Sequence, residues 1–243
     1  TVVYNFRKND LANGGQGAPL TPVFHQLIVN QGNFELPVII LNIGGITNLT
    51  IINSNIANTL KSYDLGPGNC LLDDWIRKKT KKNYDHNGEI AKRGKANKSI
   101  VVAALDNFYS NKKKLSFDIK DFDTSFFHSL SLENGAATLS DFTGTIISKA
   151  LLNTLNKNSK KLPKILICGG GRKNSSLIEI IKKKTLKNFD IQSIDNYGIN
   201  GDFVESQAFA YLAVRSYLKL PISFIGTTGC KKSCTGGVIV RKF

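Results

Sequence analysis

The stretch LPVIILNIGGITNLTIINSN, Leu36 to Asn55, decides how the rest of the chain is read. A continuous apolar run closes on the paired glycines Gly44-Gly45, and a second run follows at once. Runs of this kind with tight connections predict strands. NTLKSYDLG, beginning at Asn58, predicts a third. The chain then turns on Gly66-Pro67-Gly68-Asn69 into CLLDDWIRKKT, where Leu71, Leu72, Trp75 and Ile76 recur on one helical face. The reading is strand, strand, strand, helix.

Residues 83 to 138 are polar and lysine-rich, with an amphipathic stretch at Ser99 to Tyr109 and aromatic clusters at Phe117 to Phe127. We read them as an insertion carrying its own short helices. SDFTGTIISKALLNTL then starts with Ser140-Asp141 as a cap region and continues as a helix with Phe142, Ile146 and Ala150 at four-residue spacing. KILICGGG predicts a short buried strand ending in Gly169-Gly170-Gly171, followed by a helix from Asn174, the strand FDIQSI, and a mostly apolar helix over Glu205 to Leu218. This α/β order, βββα, insertion, αβαβα, resembles one ribonuclease H-like lobe of the actin, hexokinase and heat-shock chaperone superfamily. There a mixed sheet is flanked by helices and two lobes clamp ATP. On that resemblance residues 38–243 form a C-terminal lobe with an insertion at about 83–138. Residues 1–37 are the end of an N-terminal lobe and a sugar-cleft segment.

At 243 residues and 41% hydrophobic content, the chain buries enough for one large domain or two small ones. No apolar run reaches the roughly 18 residues of a membrane span, and the first residues are not a basic segment leading into an apolar signal core. A cytoplasmic protein without a membrane partner is the expectation. The chain starts with threonine and contains no methionine, which reads as a piece of something longer. Its formal charge of +15 raises nucleic acid as a partner. The lysines, however, keep company with many asparagines and isoleucines. KKTKK at Lys78 to Lys82 and KKK at Lys112 to Lys114 and Lys182 to Lys184 are scattered, without aromatic interleaving. They read as solvated faces, and no nucleic-acid partner is expected. Cys70, Cys168, Cys230 and Cys234 read as reduced thiols. Only Cys230 and Cys234 lie close together, and with His25, His86 and His128 elsewhere no zinc spacing emerges.

Three glycine clusters sit at predicted strand ends: Gly44-Gly45, Gly66-Pro67-Gly68 and Gly169-Gly170-Gly171. Glycine lets backbone approach a ligand, and exposed N–H groups in such turns attract phosphate oxygens. A nucleotide site is the expectation. The strings NGGQGAPLTPVFH, LNIGGITNLT, YDLGPGN with DDW following, CGGGRKN and GINGDFVESQAFAYLA resemble the successive motifs of bacterial anhydro-N-acetylmuramic acid kinases. The likeness spans nearly the whole chain, interrupted mainly across residues 95 to 138.

That resemblance implies an enzyme that uses ATP and water to open the 1,6-anhydro bridge of anhydro-N-acetylmuramic acid and to phosphorylate O6, in peptidoglycan recycling. It places Gly44, Gly45, Thr47 and Asn48 toward the phosphates and Gly169, Gly170 and Gly171 under the adenosine. Asp64, Gly66, Gly68 and Asn69 belong to the same nucleotide site. Arg7, Gly15, Gln16 and Pro19 shape the sugar cleft, and Glu205 lies near the sugar, although a carboxylate at a helix N-terminus equally serves as a dipole partner. Mg²⁺ accompanies ATP, the metal ligands stay open, and a homodimer is compatible with the family.

Two departures from the family pattern stand out. Where the family carries Asp-Phe-Arg, with the aspartate taking the proton from the attacking water, this chain has Asn5-Phe6-Arg7. An amide orients water but accepts no proton near neutral pH. Either the chemistry is impaired or Asp10, Asp64 or Glu205 supplies the base. The family's N-terminal phosphate loop, of the Ser-Gly-Thr-Ser-Leu-Asp-Gly type, also has no counterpart here, and it is expected upstream of Thr1. Smaller departures are Leu65, where the family has threonine, and Cys70. The alternative reading is therefore an impaired or truncated homologue that binds sugar or nucleotide without turnover.

Overall fold

The computed structural model describes residues 1–111, 117–155, 162–186 and 188–241. In chain order the elements are β1 (Val2–Tyr4), α1 (Lys8–Ala12), α2 (Pro22–Gln31), β2 (Val38–Ile43), β3 (Ile46–Ile52), β4 (Lys61–Pro67), α3 (Cys70–Lys79), α4 (Glu89–Arg93), α5 (Lys98–Asn111), α6 (Leu132–Leu152), β5 (Lys164–Cys168), α7 (Ser175–Lys184), β6 (Asp190–Ser193), α8 (Val204–Tyr217), α9 (Ile225–Thr228) and β7 (Val238–Val240). Five strands form one sheet in the order β4-β3-β2-β5-β6. The Gly44-Gly45 turn folds β2 back on β3 with Ile43 opposite Thr47, and β4 continues antiparallel to β3. β5 joins β2 in parallel and β6 joins β5 in parallel. This mixed order, an antiparallel meander extended by two parallel crossovers, is that of a ribonuclease H-like lobe.

Burial on both faces explains why β2 reads as an uninterrupted apolar run. Ile39, Leu41 and Ile43 pack with Leu49, Leu65, Ile147, Leu151 and Ile181 under α6 and α7. Val38 and Ile40 point the other way, against Phe24, Ile28 and Val29 of α2 and Val204 and Ala208 of α8. Each such aliphatic or aromatic side chain contributes about 1.5–3 kcal/mol by leaving water. Helix α2, which precedes the first sheet strand, is thus seated on the same sheet as α8 near the other end of the chain. β1 pairs antiparallel with β7, joining residues 2–4 to residues 238–240.

A third core cluster lies beside the sheet, where α3, α4 and α5 close over α6. Residues 83–138 contribute α4, α5 and short turns at Ile119–Asp121 and Ser125–Phe127, and Ile90, Val101, Phe108 and Phe127 share that core with Trp75 and Phe142. Phe108 sits among Phe117, Phe122 and Phe142 with ring centroids 5.7–6.3 Å away.

The helix expected to open at Ser140-Asp141 opens one residue after Ser131 instead, whose hydroxyl accepts from the Asn134 amide. Gly135 hides the first two turns from a sequence reading, yet it is there because Trp75 lies against it. The indole N–H donates to Leu132 at 3.0 Å. Ser140 and Asp141 are buried mid-helix. Asp141 is clasped by Lys98 of α5 at 2.6 Å and Lys184 of α7 at 2.9 Å.

Lys78, Lys79, Lys81, Lys82, Lys182 and Lys183 are exposed, whereas Lys184 departs from the solvated-face reading because it turns inward to the buried Asp141. Lys78 pairs with Asp74, and Lys79 lies over the Trp75 ring. Lys112 to Lys114 fall outside the described residues.

Candidate functional site

The carboxyl ends of β2, β4 and β5 lie at one end of the sheet, with the start of β3 between β4 and β2, the place where open α/β sheets bind ligands. Two adjoining pockets open there. The smaller, about 140 Å³, is lined by Gly44, Gly169, Gly170 and Glu205 together with His25 and Asn42. The larger, about 480 Å³, is lined by Asn69, Gly170, Asp73, Asp85, Lys173 and Asn174. Gly170 and Asp202 belong to both. Gly44, after β2, and Gly169 and Gly170, after β5, therefore line one pocket.

The triple-glycine turn is held from behind. Gly169 turns with φ +77°, a conformation that side chains with a Cβ rarely adopt. The Arg172 guanidinium, almost wholly buried, donates to the Gly169 carbonyl at 3.1 Å. It also donates to Asp195 at 2.6 Å and to Asp202 at 2.7 Å. These bonds from Arg172 hold both carboxyls below the usual carboxylate range. Asp195 in turn accepts from the Gly201 amide at 2.9 Å. The turn between β4 and α3 is anchored in the same fashion: the Gly68 and Asn69 amides donate to Gly45 and Gly44 at 2.9 and 2.8 Å.

Across the α2-facing side of the sheet runs a polar row. Asn42 lies opposite Asn48, and Asn48 lies opposite Asp64, at a register shift in β3. The Asn48 side-chain oxygen is buried and has no hydrogen-bond partner, a costly state that a ligand hydroxyl or amide would relieve. Asp64 is half-buried. Burial raises its pKa, while the Phe117 N–H and the nearby Arg7 guanidinium oppose the rise. One row further from the strand ends, His25 Nδ1 lies 2.8 Å from the Thr50 hydroxyl, which meets Ser62 at 3.2 Å. Burial pushes the imidazole down to about 4, so it is neutral. Asp73 goes the other way: burial raises it to about 6, against the pull of Arg77 and with the help of Asp85.

The glycine loop before α2 is organised by Asp10, which is fully buried. Its carboxylate accepts from the Gly17 N–H at 2.6 Å and from the Thr228 hydroxyl at 2.5 Å. Gly15 packs against the same carboxylate, and the Gln16 amide donates to Thr228 at 2.9 Å. Gln16 is exposed and Pro19 half-buried at the end of this loop.

Other expected site residues are not on the pocket walls. Thr47 is fully buried, and its hydroxyl donates to the Pro67 carbonyl at 3.2 Å, a link between β3 and β4. Gly66 is packed against Phe108 and Ile146, Gly68 against the Gly44 carbonyl and Gly171 against Ile43. These three serve close packing behind the turns. Gly45 is exposed at the tip of its hairpin. Asn5 is exposed at φ +54° and accepts from the Lys8 amide at 3.2 Å. Asparagine and aspartate adopt that left-handed conformation more readily than other residues with a Cβ. His25, Asn42, Asp73, Arg172 and Asp202 escaped the sequence reading. All five stand inside the quoted motif strings, His25 in NGGQGAPLTPVFH, Asn42 in LNIGGITNLT, Asp73 in DDW, Arg172 in CGGGRKN and Asp202 in GINGDFVESQAFAYLA, which was the one available signal.

The family model described as anhydro-N-acetylmuramic acid kinase matches residues 1–242. The chain belongs to that family. An anhydro-N-acetylmuramic acid kinase of Pelagibacter ubique is 54% identical over 244 residues, covering all of this chain and 65% of that protein. One from Zymomonas mobilis is 38% identical over 240 residues, covering 98% of this chain and 63% of that protein. The chain thus spans just under two thirds of the length of these relatives. Among solved structures, the activator of 2-hydroxyisocaproyl-CoA dehydratase from Clostridium difficile, with bound ADPNP, aligns at 13% identity and a TM-score of 0.47, covering 80% of this chain and 66% of that one. Component A of the Acidaminococcus fermentans (R)-2-hydroxyglutaryl-CoA dehydratase aligns at 13% identity and 0.43, covering 78% and 68%.

Proposed function

We propose that this chain is the nucleotide- and sugar-binding part of an ATP-dependent kinase of anhydro-N-acetylmuramic acid, which opens the 1,6-anhydro bridge with water and phosphorylates O6 in peptidoglycan recycling. The observation that carries the reading is the family match over residues 1–242, whose glycine motifs converge on the two adjoining pockets. Residues 1–37 are assigned to the end of an N-terminal lobe leading into α2, and the rest to the C-terminal lobe. Relatives named as this kinase are longer than this chain. Among the described residues no helix is long and apolar enough to cross a membrane, and we place the protein in the cytoplasm, with the anhydro sugar as its partner, no nucleic acid, and a homodimer as its assembly.

The pocket chemistry fits a nucleotide. Gly44, Gly169 and Gly170 leave backbone open to a ligand without side chains in the way, and Lys173 supplies a cation at the larger pocket. There Asn69 and Asn174 would hold the nucleoside end. The Mg²⁺ that travels with ATP would neutralise phosphate charge and assist transfer to O6.

The chain's own residues also supply a base. Asp10 is spent on the glycine loop, and Glu205 is exposed at the rim of the smaller pocket. Asp64 remains: a half-buried carboxylate at the end of the polar row, with a raised proton affinity and a guanidinium beside it. In our reading Asp64 takes the proton from the water that attacks the anomeric carbon. The Phe117 N–H and then the Arg7 guanidinium favour the charged carboxylate against its burial, and Asn42 and Asn48 orient sugar hydroxyls. Asn5 is then no longer a defect at the reacting atom. The reading is tested by giving the longer protein ATP, Mg²⁺ and the anhydro sugar. Stoichiometric ADP and 6-phosphorylated N-acetylmuramic acid support it; tight binding of both without product supports the binding-module alternative.

A further inference from the structure

Asp10 lacks the partner that its burial calls for. Its side chain is fully buried, and its two hydrogen bonds come from neutral donors, the Gly17 amide and the Thr228 hydroxyl. No ion pair reaches it among the described residues. A buried carboxylate without a counter-charge is expensive, and such groups are ordinarily paired with a cation or bound to a metal.

The fold places two thiols where that cation belongs. Cys230, fully buried, and Cys234, partly exposed, approach Asp10 so that one oxygen and both sulfurs lie within 4.8 Å of one another. Neither thiol is in a disulfide. Zn–S and Zn–O bonds of about 2.3 and 2.0–2.2 Å set the donors of a tetrahedral site roughly 3.4–3.8 Å apart. Side-chain rotations of about 1 Å therefore suffice to close these three around an ion. Beside Cys234 is a further oddity. Ser223 is wholly buried and paired with Cys234 in an isolated antiparallel bridge, and its hydroxyl lies beside the Cys234 thiol without a well-formed hydrogen bond. A thiolate or a metal-bound water next to it would give that hydroxyl an acceptor.

We propose that Asp10, Cys230 and Cys234 bind a thiophilic divalent cation of the zinc type, with water in the fourth position on the Cys234 side. Two thiolates and a carboxylate carry three negative charges, which a dication reduces to one, within a chain of net charge +15. The ion ties the C-terminal turn to residue 10, some two hundred residues away in sequence. Through Asp10 it fixes the loop of Gly15 and Gly17 at the floor of the cleft. This is a structural site, separate from the Mg²⁺ that would accompany ATP. Sequence spacing could not reveal it, because its third donor comes from the other end of the chain.

The test is metal titration of the whole chain, reduced and under anaerobic conditions, with Zn²⁺ and then with Co²⁺ as a spectroscopic probe. One equivalent per chain is expected, with a thiolate-to-cobalt charge-transfer band and tetrahedral d–d bands. Cys234→Ser and Cys230→Ser should each lose more affinity than the roughly 10–100-fold typical of outer-shell substitutions. Cys70→Ala, at a thiol remote from the cluster and pushed by burial to about 11, should bind the metal as the parent does. Asp10→Asn should weaken binding as the serine variants do; should it fail to fold, those two variants carry the test alone. Absence of the cobalt band in the reduced parent, parent-like binding by both serine variants, or a Cys230–Cys234 disulfide in the anaerobically isolated protein would overturn the proposal.

Discussion

Between Gly170 and Gly171 the wall of the pocket gives way to the core. A Cβ at Gly170 would meet only the Asn69 amide, at an ordinary 3.6 Å, whereas one at Gly171 would run into Ile43. Gly170→Val should therefore fold and lose at least about tenfold in nucleotide affinity, or roughly 1.4 kcal/mol. Gly171→Val should cost about 1–3 kcal/mol of stability through overpacking. Titration calorimetry with ATP and a urea melt separate the two effects, and unchanged ATP affinity in folded Gly170→Val would count against the nucleotide assignment. Arg7 acts on Asp64, whose proton affinity burial raises and Arg7 lowers. Replacing Arg7 by leucine leaves only the Phe117 N–H to oppose burial. The acidic limb of kcat/KM in the longer protein should then move to higher pH, and an unmoved limb would remove Asp64 from the role of base.

At the scale of elements, the hairpin of β2 and β3 was legible because both runs are buried on two faces and interrupted only by Gly44-Gly45. The start of α6 was not legible. Ser140-Asp141 has the composition of a cap, and Gly135 looks like a break, but Asp141 is a clasp for α5 and α7 and Gly135 a seat for Trp75. The three glycine clusters were visible, yet nothing local sorts pocket glycines from packing ones; that depends on what the fold brings opposite each. Asp141 offers a check on this account. Burial alone would raise its pKa, but Lys98 and Lys184 bring it below the ordinary carboxylate value. Its depressed folded pKa means a contribution fully present above the unfolded value near 3.9 and lost as pH falls through the folded one. Asp141→Asn should cost about 1.5–3 kcal/mol at pH 7, the range for hydrogen bonds to charged groups. The deficit should shrink as the pH of the melt is lowered through the depressed folded pKa. A deficit independent of pH would assign the loss to packing instead.

On the scale of the whole molecule, long-range contacts set the site. β1 meets β7, Asp10 meets Thr228, and α2 carries His25 onto the sheet beneath the polar row. Residues more than a hundred positions apart, Gly44 and Gly169 among them, thereby line one pocket, which the glycine clusters announced in the sequence as well as the likeness to a family. Position 5 shows the limit of that likeness. The departure at Asn5 leaves either impaired chemistry or another base, and our proposal gives that role to Asp64, which stands in the polar row with Arg7 nearby. The most direct measurement of this central claim is the rate of sugar phosphate formation by the longer protein carrying Asp64→Asn or Asn5→Asp. A positioned base contributes about 10²–10⁴-fold, so Asp64→Asn should lose that much in kcat with little change in KM, while Asn5→Asp stays near the parent. A parent-like kcat in Asp64→Asn, together with a rise of about a hundredfold in Asn5→Asp on the same scale, would contradict the account.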